Sequence, residues 1–86
     1  MTLRIVSTTA SEGAVVELHG WLNGPEVAEF AKVCAGKPLP LRIDLKHLVG
    51  ADAAGILALR EQRARGARIV GASPYIELLL QSPQGP

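Results

Sequence analysis

The chain has 86 residues, which is one domain's worth of sequence. Hydrophobic residues make up 48% and charged residues 20%, a balance that excludes a disordered segment, and a formal net charge of +1 excludes the strongly basic footprint of nucleic-acid binders. A single cysteine, Cys34, excludes an internal disulfide, and one Trp, one Phe and one Tyr leave the core to Val, Ile, Leu and Ala.

The alternation of Leu3, Ile5 and Ser7 with Arg4 and Val6 predicts a first strand, and "STTASEGA" supplies turn residues. "VVELHG" predicts a second strand, with Val16 and Leu18 on one face and Val15, Glu17 and His19 on the other. The two are expected to form an antiparallel hairpin. "NGPE" opens a helix at Pro25, with Glu26 and Glu29 near the positive end of its dipole. Val27, Phe30, Ala31 and Cys34 form its apolar stripe, and Gly36 ends it. "LRIDL" is the clearest strand, with Leu41, Ile43 and Leu45 on one face. After "KHLVGA", Asp52 caps a second helix that runs to about Arg65 and stops at Gly66. "ARIVGA" predicts a fourth strand, Ile69 inward and Arg68 outward. Ser73 and Pro74 open a last helix through about Leu80.

The expected order is therefore β-β-α-β-α-β-α in an α/β single domain spanning 1–86, with 81–86 a frayed tail. The alternation in every strand predicts a four-stranded mixed sheet with helices packed on one face and the other face partly solvated.

Candidate chemistry is sparse. Asp44 and Asp52 are the natural carboxylate pair, but no nucleophile or third ligand lies near them in sequence. They read as a strand-end residue and an N-cap. His19 and His47 do not have metal-ligand spacing, so neither a metal nor a cofactor is expected. Cys34 sits on the apolar stripe and reads as a buried, inert thiol. Arg60, Arg63, Arg65 and Arg68 form a local basic cluster, read as a solvated helix face or, in the functional alternative, as an anion- or partner-binding patch. Tyr75, Ile76, Leu78, Leu79 and Leu80 exceed what one helix face requires. Ile76, Leu79 and Leu80 are expected to face the sheet, and Tyr75 and Leu78 belong either to a small core or to an interface. "MTLRIVSTTASEG" lacks the basic start and apolar core of a signal peptide, and no apolar run approaches the roughly 20 residues of a membrane-spanning helix. A bacterial-style cytoplasmic domain without membrane insertion is expected.

The run "LRIDLKHLVGADAAGILAL", followed by "RARGARIVGASPYIELLL", resembles a STAS domain, the fold of bacterial anti-sigma factor antagonists. "ELHGWLNGPEVAEF" is similar to the family's second strand, glycine corner and first helix. In phospho-regulated members, the Asp-small-small-Gly turn carries a serine or threonine just before the glycine. A kinase-like anti-sigma factor phosphorylates it, and the modified protein releases its partner. Ala54 occupies that position here, Ala53 precedes it, and no Ser or Thr occurs between Ser11 and Ser73. The turn "GADAAG" is thus a non-phosphorylatable variant. The segment from Gly55 to Gly66 is about one helical turn shorter than the resemblance implies.

The resemblance implies a non-catalytic interaction module for an anti-sigma factor or kinase-like protein, with signalling and transcription regulation as its setting. The surface it implies is Asp52, Ala53, Ala54, Gly55 and Ile56, with Arg60 one turn on. Ile56 reads as an apolar anchor or, equally, as ordinary core. "DAAGILAL" also resembles the small STAS subunit of bacterial lipid-transport ABC systems, whose partner is an ABC ATPase subunit. A STAS domain binding a small ligand or nucleotide through the arginine cluster is the third reading. The open sheet face and the apolar last helix are compatible with a homodimer.

Overall fold

The computed structural model describes residues 3–81. The elements are β1 (Leu3–Ala10), β2 (Gly13–Leu22), α1 (Gly24–Ala35), β3 (Leu41–Asp44), β4 (Leu48–Ala51), α2 (Ala53–Ala64), β5 (Arg68–Val70) and α3 (Pro74–Gln81). The α/β class and the helix positions follow the sequence expectation, and the sheet has five strands rather than four. β1 pairs antiparallel with β2 across all eight of its residues, and β3 runs parallel to β2 with β5 beyond it.

The extra strand is β4, in the segment "KHLVGA" that reads as a connection. It pairs parallel with β2 through Gly20, Trp21 and Leu22, with a register irregularity between Gly20 and Trp21. β3 and β4 therefore lie end to end along the same side of β2. The break between them is bridged by Leu48 N–H donating to the Leu45 carbonyl at 3.0 Å and Gly20 N–H donating to the His47 carbonyl at 3.2 Å. Two other boundaries differ from expectation. "STTA" is the second half of β1, not a turn, because the polar residues of an exposed edge strand still complete a ladder. Gln81 closes α3 instead of opening a tail, and the rest of the expected tail, 82–86, lies outside the described residues.

Alternation decides which sheet face is covered. Ala14, Val16 and Leu18 of β2 and Leu41 and Ile43 of β3 are buried with Leu22, Phe30, Leu45, Leu59, Ile76 and Leu80. Val15, Glu17 and His19 point to the other side and are half-buried. Phe30, the only aromatic ring in the core among the described residues, is fully buried on α1, with Cys34 nearly so. α3 inserts Ile76 and Leu80, while Tyr75 and Leu78 project into solvent, and Leu79 is half-buried. Its start is capped by Ser73 Oγ, which accepts from Ile76 N–H at 3.2 Å. Its end is tied to α2 by Arg63, whose Nη2 donates to the Leu80 carbonyl at 3.0 Å, satisfying one of the terminal carbonyls.

Candidate functional site

The turn between β4 and α2 is built by three hydrogen bonds that join Asp52 to the backbone of Leu22, Gly55 and Gly24. Asp52 N–H donates to the Leu22 carbonyl at 3.3 Å, holding the turn against the end of β2. Asp52 Oδ1 then accepts from Gly55 N–H at 2.8 Å, the N-cap bond of α2. The second oxygen, Oδ2, accepts from Gly24 N–H at 2.8 Å, at the first residue of α1. One carboxylate thus caps two helices and sets their N-termini side by side. Those N–H donors, Gly55 first and Gly24 second, hold the Asp52 carboxyl below its ordinary value. α1 is closed locally by Glu26, whose Oε1 accepts from Asn23 N–H at 3.3 Å.

Gly55 has a packing reason to be glycine. A Cβ there would collide with the Leu22 carbonyl oxygen and lie 3.0 Å from the Ala51 Cβ. Gly50 has another, because a Cβ would lie 2.6 Å from Cζ3 of Trp21, whose ring lies against the β4 backbone.

The expected surface divides accordingly. Asp52, Ala53 and Ala54 are exposed, and Ala54 borders Gly24, where an added Cβ would lie 4.0 Å from the Ala54 Cβ. Gly55 is buried against β2. Ile56, 5% exposed, lies in the core, the second of the two readings open to it in the sequence. The exposed apolar side chain is its neighbour Leu57, at 46%. Arg60 is half-buried on α2, one turn beyond Ile56. Sequence reasoning also missed Gly24, which joins the site only through the long-range bond to Asp52. A carboxylate with one lone-pair set left over after capping is the sole hint the sequence offers.

The other candidates are placed as follows. Asp44 Oδ1 accepts from Lys46 N–H at 2.9 Å at the end of β3. His19 and His47 stack with ring centroids 4.5 Å apart and an interplanar angle of 16°, and His19 Nε2 lies 3.2 Å from Glu17 Oε1. Among the described residues, no three His, Cys, Asp or Glu side chains are grouped to hold a metal ion. Burial pushes the Cys34 thiol up to about 11, against the opposing pull of Arg65. The arginine cluster is dispersed: Arg63 serves α3, whereas Arg68 lies on β5 opposite Arg42 of β3. No helix among the described residues is long and apolar enough to cross a membrane.

With this architecture in view, two solved structures are informative. The anti-sigma factor antagonist SpoIIAA in its unphosphorylated form superposes with a TM-score of 0.73 at 14% identity, covering 93% of this chain and 82% of that one. An anti-sigma factor antagonist STAS domain from Rhodobacter sphaeroides superposes with a TM-score of 0.65 at 19% identity, covering 80% of this chain and 86% of that one. The chain has the STAS fold. No family model matches the sequence, and no curated protein matches it either. The likeness thus resides in the path of the backbone: the STAS arrangement of sheet and helices is kept here at identities below one residue in five.

Proposed function

We propose that this STAS-fold domain is a non-catalytic, cytoplasmic protein-interaction module. It docks through the paired starts of α1 and α2 onto an anti-sigma factor of the kinase-like type. The observation that carries this reading is the exposure of Ala53 and Ala54 at the α2 N-terminus, beside Gly24 and Leu57. Small side chains there let a partner's backbone approach closely, and Leu57 offers apolar area at the rim. The fold's likeness to two proteins described as anti-sigma factor antagonists supports the choice of partner class.

Ala54 stands where the switchable relatives carry a hydroxyl. A phosphate there would add about −1.5 to −2 charges beside the Asp52 carboxylate. A methyl group admits no such change, so docking through this turn is not switched by phosphorylation at position 54. The test is affinity capture from the native cell extract with wild-type and Ala54→Glu chains side by side, followed by calorimetry with the captured partner. Weaker binding of the Ala54→Glu form is expected, and equal affinity of the two forms removes the turn from the docking surface. Capture of an ABC ATPase subunit, in place of a histidine-kinase-like ATPase, assigns the domain to a lipid transporter instead.

A further inference from the structure

The open face of the sheet carries a row of side chains that runs across four strands: Thr8 of β1, Val15 of β2, Arg42 of β3 and Arg68 of β5. The register places Arg42 directly opposite Arg68. Both arginines are exposed, and two like charges on neighbouring strands repel each other even where solvent screens them. Among the described residues, neither guanidinium has a carboxylate within ion-pair distance. Arg42 and Arg68 are among the residues that line a half-open cleft of about 390 Å³, together with Thr8, Val15, Pro40 and Glu12. This cleft lies at the start of β2, whereas the α2 turn lies at its end, about 20 Å away by strand rise.

We propose that this cleft binds a small phosphate monoester. Two planar guanidinium forks match the oxygens of a phosphate, and its charge of about −2 at neutral pH balances theirs. The Thr8 hydroxyl supplies a further donor, and Val15 with Pro40 gives an apolar wall for the body of the ester. Glu12, on the hairpin turn, is the one carboxylate in the lining and opposes the anion. The proposal is independent of the docking surface, so each stands or falls on its own test.

The test is a ¹⁵N-resolved NMR titration with phenyl phosphate at constant ionic strength. Saturable shifts are expected at Thr8, Gly13, Arg42 and Arg68. Arg42→Gln and Arg68→Gln each weaken binding at least about tenfold, the loss of one charged fork. Glu12→Gln tightens binding, and Lys32→Gln, an exposed cation on α1, leaves it unchanged. The glutamine variants remain folded, with melting temperatures equal to or above wild type in the absence of phosphate, because the like-charge pair is relieved. Shifts that do not saturate, shifts centred on Gly24 and Ala54, or a loss in Lys32→Gln equal to that in the two arginine variants would each overturn the site.

Discussion

The side chain of Asp52 and the backbone of Gly24 are joined by a 2.8 Å hydrogen bond across 28 residues of chain. The same carboxylate caps its own helix at 2.8 Å, so a single side chain accepts a hydrogen bond from the first turn of each of two helices.

Asp52→Ala removes both bonds and is expected to lower the melting temperature by roughly 5 °C, read by circular dichroism. Asp52→Asn retains an acceptor for Gly55 but presents an amide donor or a poorly placed oxygen to Gly24, and falls between the two. The pH dependence has a defined sign. The folded carboxyl titrates below the ordinary 3.8, so its stabilisation is complete above that value and is lost as pH falls through the folded value. The gap in melting temperature between wild type and Asp52→Asn should therefore be open at about pH 6 and close in the acid range.

Gly55→Ala sets two effects against each other. Alanine gains about 0.5–1 kcal/mol over glycine in a helix. The new methyl collides with the Leu22 carbonyl, a backbone atom that cannot rotate away, and overpacking of that kind costs about 1–3 kcal/mol. The collision wins. Urea unfolding should show a net loss of about 1–2 kcal/mol.

Ile56 and Leu57 are neighbours with opposite assignments. Ile56→Ala empties a core position and should cost about 2–5 kcal/mol in stability. Leu57→Ala should stay within about 0.5 kcal/mol of wild type in chemical unfolding while weakening capture of the partner. Unchanged capture by the folded Leu57→Ala chain would take Leu57 out of the interface.

Cys34 should be inert in the folded protein. A thiol at about 11 is thiolate in only about one molecule in a thousand at pH 8, and the residue is 4% exposed. Ellman's reagent should react slowly in buffer and rapidly in denaturant. Fast reaction of the native chain would contradict the burial.

Much of this arrangement was legible in the sequence because local rules and tertiary packing agree. The alternation of Leu41, Arg42 and Ile43 gave strand and face together, and Asp52, Ser73 and Pro74 marked helix starts by their own chemistry. What stayed hidden depended on partners distant in sequence. β4 is four residues with a central glycine, and only its ladder to Gly20–Leu22 makes it a strand. Ile56 and Leu57 are equivalent apolar residues until the sheet decides which one faces it. The row from Thr8 to Arg68 exists only through register, since its members lie on four separate segments.

The splice of β3 and β4 along β2 gives the molecule two construction zones on one beam. The upstream zone seats the arginines, and the downstream zone seats the twin helix starts. Because the Leu45–His47 joint interrupts one side of the beam while β2 continues from one zone to the other, β2 is the one support that both poles share.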